Sequence, residues 1–188
     1  MNVRIDKIYS MPCSALVAWE FLQNLEAVAA CMPGAKITER LDAGRYKGTV
    51  TVKIGPATMS FRGEVEMRDV DPAARTLRLL AKGTDGAGSS GASMNLTARI
   101  ETAAGGLCTL AGASEVSMSG RAAAFGGRMV NTVADQILKQ FADNFAGQVG
   151  ALQANREAPA AAGELNGLAL GWTIVKDWLR RLFSKKTA

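Results

Sequence analysis

The sequence predicts an α+β fold: a curved antiparallel sheet of about six or seven strands wrapped around one long C-terminal helix, with a tethered amphipathic tail helix behind it. Three observations carry this expectation. In residues 120–149, Phe125, Met129, Val133, Ile137, Phe141 and Phe145 recur every four residues. Val130 and Leu138 widen that stripe, while Arg128, Asp135, Lys139, Gln140 and Asp143 fall on other faces. This is an amphipathic helix with a bulky apolar face, and at 1.5 Å per residue it would span roughly 43 Å. Residues 45–118 are dominated by apolar–polar alternation, the signature of strands with one dry and one wet face. Finally, strands and helices are segregated along the chain, which assigns the α+β class.

Taken in order, Val3 and Ile5 among polar neighbours mark a first strand over residues 2–9. Pro12 suits the first turn of a helix, where its missing N–H costs nothing; Leu16, Trp19 and Leu22 give a short helix over 12–22. Asn24 caps a second short helix with Glu26 in its first turn, and Cys31-Met32-Pro33-Gly34 stops it. Strand follows strand from there. Tyr46, Gly48, Val50, Val52 and Ile54 share one face, and Gly55-Pro56 turns the chain. Ala57, Met59, Phe61, Gly63, Val65 and Met67 share the next, ended by a turn at Asp69–Ala74 with Asp71-Pro72. Arg75–Lys82 is a less regular strand, and Gly83–Gly91 reads as a glycine- and serine-rich loop. Ala92, Met94, Leu96, Ala98 and Ile100 alternate again, Gly105-Gly106 marks a tight hairpin, and Cys108, Leu110, Val116 and Met118 keep the inward parity of the last strand.

The composition changes after Val149. Residues 150–163 are mostly alanine and glycine with Pro159, which reads as a linker whose first residues can continue the helix. Residues 164–188 form a second amphipathic pattern, with Leu165, Leu168, Trp172, Val175, Leu179 and Leu182 at spacings of three and four. Ile174, Trp178 and Phe183 add apolar width. Five cations (Lys176, Arg180, Arg181, Lys185, Lys186) against Asp177 give residues 165–188 a net +4, so the other 164 residues of a +5 chain carry only +1. The basic character therefore belongs to the tail and not to a nucleic-acid-binding face. Tryptophans beside clustered cations suit the boundary between acyl chains and anionic headgroups. The residues expected to meet lipid are Leu168, Trp172, Val175, Trp178, Leu179, Arg180, Arg181, Leu182, Phe183, Lys185 and Lys186. The competing reading is a tail that folds back on the domain or packs with a second copy.

Composition excludes whole chemistries. The chain of 188 residues has no histidine, which removes Ser-His-Asp and Cys-His catalysis and histidine metal ligation. The three cysteines, Cys13, Cys31 and Cys108, are scattered, so buried thiols are expected in place of a zinc site or a disulfide framework. Glu64, Glu66, Asp69 and Asp71 have outward parity or lie in a turn and make a poor acid–base pair. The glycines of 83–91 match no phosphate-binding fingerprint. No catalytic residue and no metal ligand is therefore assigned. Met1–Ser10 lacks the apolar core of a signal peptide, and no apolar run approaches bilayer length. The expected location is cytoplasmic, peripheral on the inner face of the cell membrane.

Several landmarks occur together: Pro12 with Trp19, Cys31-Met32-Pro33-Gly34, Tyr46-x-Gly48, Val52-Lys53-Ile54-Gly55-Pro56, Phe61-x-Gly63, the Gly83–Gly91 stretch, and Gly120 followed by Phe125-Gly126-Gly127-Arg128. In this order they resemble the carbon-monoxide dehydrogenase G-subunit family, within the START-like, helix-grip superfamily (SRPBCC), over residues 1–150. The resemblance implies a helix-grip fold with an apolar tunnel between sheet and long helix. It implies a partner, a molybdenum hydroxylase of the carbon-monoxide dehydrogenase type, recruited to the membrane. It also implies a quinone, menaquinone or ubiquinone, as ligand, with no covalently bound cofactor.

The wall of that tunnel would come from Met59, Phe61, Met94, Leu96 and Met118 on strands and Phe125, Met129, Val133, Ile137 and Phe141 toward the helix. The residues alone leave an ordinary packed core open as the alternative. Methionine fits either reading, because it fills gaps and adapts to greasy ligands. Glycines at 48, 63, 112, 126 and 127 thin the inward faces. The expected organisation is a domain over 1–149, a linker over 150–163 and a membrane-associating helix over 164–188. The rival functions are a recruitment adaptor without ligand and a START-like small-molecule enzyme such as a cyclase.

Overall fold

The computed structural model describes residues 1–157. Met1–Gln153 form one compact unit, and the amphipathic tail expected over 164–188 lies outside the described residues. The elements are β1 (Asn2–Met11), α1 (Ala15–Leu22), α2 (Leu25–Cys31), β2 (Ala35–Asp42), β3 (Arg45–Ile54), β4 (Ala57–Asp71), β5 (Thr76–Asp85), β6 (Ser90–Thr102), β7 (Cys108–Gly120) and α3 (Gly127–Glu157). The seven strands form one antiparallel sheet in the order β1-β7-β6-β5-β4-β3-β2. Six are joined by successive short turns, and β1 closes onto β7. This is the expected helix-grip α+β architecture.

Local chemistry explains the two short helices. The Ser14 hydroxyl caps α1 by accepting from the Val17 N–H at 3.4 Å, and the Asn24 side chain caps α2 by accepting from Ala27 at 3.1 Å. Side-chain caps of this kind satisfy otherwise orphaned donors at a helix start.

Several boundaries differ from the sequence reading. α1 begins at Ala15 with Ser14 as its cap, so Pro12 precedes the helix and does not stand in its first turn. β2 went unread because its pairing with β3 shifts register between Ile37 and Glu39 and again between Arg40 and Asp42. Such bulges break the period of two on which strand recognition depends. The expected loop 83–91 is shorter: β5 runs on to Asp85 and β6 begins at Ser90. The long helix starts later than expected. Gly120 (φ 66°) and Gly126 (φ 77°) enclose a 3-10 turn at Arg121–Phe125, so Phe125 sits on the entrance turn and not on the helix. At its other end α3 continues to Glu157, through the first residues of the alanine-rich stretch.

The core occupies one half of the molecule. Met11, Cys13, Val17, Trp19, Leu22, Leu25, Val28 and Cys31 meet Leu77, Leu79, Ala98, Ile100, Cys108 and Leu110 of the sheet and Ala142, Phe145 and Val149 of α3. Phe145 has no exposed surface and stacks edge-on with Phe21 at 5.0 Å between ring centroids. Two hydrogen bonds fix the same half of α3: Asn144 Nδ2 donates to the Cys31 carbonyl at 2.9 Å, and Gln153 Oε1 accepts from the Ser14 N–H at 3.1 Å. Among the described residues, no helix is long and apolar enough to cross a membrane.

Truncating a fully buried phenylalanine removes both its transfer energy and the packing around the cavity left behind. Phe145→Ala is therefore expected to cost about 3–5 kcal/mol, read from the urea midpoint of the purified protein.

Candidate functional site: an apolar groove beside the long helix

The strand register aligns inward residues in rows across the sheet. One row runs Val3, Val116, Met94, Ala81, Val65 and Tyr46. The next, further from the core, runs Met118, Ala92, Gly83, Gly63 and Gly48. Its three glycines form a crease. A Cβ at Gly63 would meet the Lys82 carbonyl, and one at Gly83 or Gly48 would lie 2.8 Å from the Arg62 or Lys36 carbonyl. Only residues without a side chain let neighbouring strands approach so closely. The crease bends the sheet and strips its inner face of bulk at one place.

Beyond it, Val50, Val52, Met59 and Phe61 stand on β3 and β4, with Met59 opposite Val52 and Phe61 opposite Val50. The entrance turn and the first half of α3 complete this end of the fold. Met129 lies against Gly55 in the β3–β4 turn, its sulfur 3.9 Å from where a Cβ would stand.

The ten residues expected to line a tunnel divide in two. Met94, Leu96 and Phe141 pack against the core from its edge. Met59, Phe61, Met118, Phe125, Val133 and Ile137 are partly buried, Met129 is 42% exposed, and none of the seven belongs to the core cluster. A filled core would bury such side chains completely. Solvent still reaches all seven, and with Met94, Leu96 and Phe141 at the edge of the core they are the candidate lining of an apolar groove.

One ion pair ties β1 to the first half of α3. Lys7 shares inward parity with Val3 and Ile5, and its Nζ lies 2.8 Å from the Asp135 carboxylate on α3. The hydrogen bond to Asp135 raises the Lys7 pKa, so the ammonium stays charged. Asp85, at the end of β5, accepts from the Ser89 hydroxyl at 2.7 Å and from the Ser89 and Ser90 N–H groups at 2.7 and 3.1 Å. Those bonds, the Ser89 hydroxyl foremost, hold its pKa below the usual carboxylate value. Glu66 and Asp69 are ion-paired with Arg68 and Arg78 on the outside of the sheet. Among the described residues, no group of three or more acidic or cysteine side chains could hold a metal. A larger open depression of about 520 Å³ lies over the outer face of the crease, lined by Arg62, Glu64, Lys82 and serines of outward parity. Met118, counted above among the partly buried apolar residues, also borders it.

Comparison with known proteins agrees with this fold. The family model for CoxG, described as the G-subunit of carbon monoxide dehydrogenase, matches residues 12–150. Among solved structures, a conserved protein from Geobacillus kaustophilus superposes with a TM-score of 0.71 at 18% identity, covering 80% of this chain and 96% of that one. An aromatase/cyclase from a Streptomyces species gives 0.57 at 16% identity, covering 86% and 98%. A START superfamily protein from Mycobacterium smegmatis gives 0.55 at 17%, covering 79% and 98%. At these identities the structures establish the fold. No curated protein sequence matches.

Sequence reasoning missed one arrangement. Cys13 and Cys108, distant in the chain, place their sulfurs 3.9 Å apart in the core, each 1% exposed. The signal lay in strand order, since β1 pairs with β7 and Met11 stands opposite Cys108. Burial raises the pKa of both thiols, that of Cys108 to about 12. A thiol pKa raised by folding adds stability that is complete below the unfolded value near 9.0 and is lost as pH rises through about 12. At pH 8 the native protein should leave all three buried cysteines unlabelled by Ellman's reagent, and release three equivalents once unfolded in urea. Rapid labelling of the native protein would contradict the buried assignment.

Proposed function

The chain belongs to the CoxG family of carbon monoxide dehydrogenase G-subunits, and from that membership we propose that it holds a quinone in the groove beside α3 and presents it at the membrane to a molybdenum hydroxylase of the carbon-monoxide dehydrogenase type. The family supports the coarser part of this, an accessory or ligand-binding role associated with such an enzyme. The observation that carries the finer part is the split among the apolar inward residues: one end of the fold is a sealed core, the other a half-open groove. An apolar ring and prenyl chain would cover the seven partly exposed side chains. Burial of that kind contributes about 25 cal/mol per Å² of apolar surface removed from water. The two carboxylates nearest this end of the fold are already committed, Asp135 to Lys7 and Asp85 to the Ser89–Ser90 turn. That pattern favours holding a ligand over bond-making chemistry, and so favours a carrier over the cyclase activity named for the Streptomyces neighbour.

Membrane recruitment in this reading falls to the basic tail over 164–188. Each lysine or arginine near an anionic surface contributes about 1 kcal/mol, so five suffice for reversible binding alongside the tryptophans.

Two experiments separate carrier, adaptor and enzyme. Organic extraction of the protein purified from its own cells, followed by mass spectrometry, should yield menaquinone or ubiquinone. Met129→Asp, which puts a charge on a half-exposed groove residue, should reduce the yield by about ten-fold while leaving the fold intact. Folded protein with no quinone or prenyl lipid would sink the carrier reading and leave the adaptor. For the tail, deletion of residues 165–188 should release the protein from vesicles containing anionic lipid. Unchanged co-sedimentation would refute membrane anchoring by that segment.

A further inference from the structure

At the edge of the groove the sheet has a notch. β4 pairs with β3 from Ala57 onward, but its pairing with β5 begins only at Phe61, opposite Asp85. Among the described residues, no strand therefore pairs with the edge of residues 57–60 that faces away from β3. A cavity of about 270 Å³ occupies the notch. That is slightly below the roughly 300–1,000 Å³ of whole-ligand pockets and suits one end of a molecule.

Its walls differ in character. Met59 and Phe125, both also part of the groove, make one side apolar. Arg62 and Arg121 line the cavity together with the hydroxyl-bearing Thr58 and Ser60. Neither arginine has an ion-pair partner among the described residues, although eight other cations do. The carboxylate at the same cavity, Asp85, is saturated by the Ser89 hydroxyl and two backbone N–H groups.

Arg121 is held in place by the same turn. Gly120, at φ 66°, lets the chain pass against the Ser89 carbonyl, where a Cβ would collide with it. The Arg121 N–H then donates to that carbonyl at 3.4 Å, and the Ala122 N–H donates to the buried Ser90 hydroxyl at 3.2 Å. These bonds fix the backbone from which the Arg121 side chain reaches the cavity.

We infer that this notch binds a phosphate monoester or diester, and that the phosphate is a phospholipid headgroup whose glyceride end lies against Met59 and Phe125. Guanidiniums free of a salt bridge are the side chains best suited to phosphate, because each offers parallel donors to two oxygens, and two of them line this one cavity beside the hydrogen-bonded Asp85. The adjoining apolar wall selects a phosphate that carries an acyl body over a free one. The inference does not depend on which molecule fills the groove.

The test titrates the full-length chain, tail included, by calorimetry with three probes: dihexanoyl phosphatidic acid below its micellar concentration, inorganic phosphate, and dihexanoyl phosphatidylcholine. Phosphatidic acid should bind at least about ten-fold more tightly than inorganic phosphate, and Arg62→Gln or Arg121→Gln should each weaken it by about ten-fold. Both arginines are exposed, so an unchanged thermal midpoint is expected and is the check on folding. Phosphatidic acid and inorganic phosphate binding equally would overturn the lipid assignment in favour of free phosphate. Affinity unchanged in the double variant, or no binding at millimolar probe, would overturn the site itself. Phosphatidylcholine binding as tightly as phosphatidic acid, with both lost in the variants, would still support a headgroup phosphate. Quinone content measured on the same variants is expected to be unchanged, which keeps this result distinct from the fate of the groove reading.

Discussion

The packing of Phe145 sets how the rest of the molecule is arranged. It joins α3 to α1 through Phe21, is flanked by Phe141 one turn away, and is sealed from solvent by the sheet and the two short helices. Asn144 and Gln153 add directional bonds on either side of it. Because the hydrophobic contacts and the hydrogen bonds both concentrate on the second half of α3, that half is fixed as part of the core. Up to Phe141, the first half buries only Val130, and its Asp135 is ion-paired with Lys7. An exposed ion pair of this kind contributes little to stability. A helix held firmly at one end and lightly at the other can make room beneath its free end, which is where the groove is proposed.

The sheet supplies the other wall by a different device. Curvature could come from bulges alone, and β2 has two. At the groove it comes instead from the aligned Gly48, Gly63 and Gly83, whose missing side chains let adjacent backbones close up. The crease turns β3 and the start of β4 toward α3, which brings Gly55 under Met129. It also removes volume where a packed protein would have placed aliphatic side chains. Curvature and emptiness therefore share one cause, and a side chain at Gly63 would disturb both.

Much of this was legible in the sequence because it depends on periodicity. The alternation from Tyr46 to Ile54 and from Ala57 to Met67 fixes which residues face inward, and the stripe Met129–Val133–Ile137–Phe141–Phe145 fixes the helix face. What remained hidden depends on contacts between distant segments. Cys13 and Cys108 meet only because β1 pairs with β7. Gly83, read as the start of a loop, joins Gly48 and Gly63 only through the β4–β5 register. Phe125 keeps the four-residue spacing yet lies outside the helix, because Gly120 and Gly126 take up left-handed conformations that periodicity does not report. The division of the inward residues into core and groove was equally out of reach: Phe141 and Met129 look alike in the pattern, and only three-dimensional packing buries the one and leaves the other half-exposed.

The separation of core from groove has an energetic consequence. Seven apolar side chains kept partly wet forgo stabilisation that a filled interior would collect, and the sealed half must carry the fold without them. A ligand that dries the groove restores the missing burial and binds the native state alone, so it stabilises the fold in proportion to the logarithm of its free concentration over its dissociation constant. Substitutions along Met59, Phe61, Met129 and Val133 can then alter ligand preference with little effect on folding, whereas changes at Phe145 or Trp19 cannot. The apolar, adaptable side chains sit where the ligand is proposed to lie, and the rigid aromatic pair sits where the helix must not move. That distribution is expected of a protein whose task is to hold a greasy molecule and let it go.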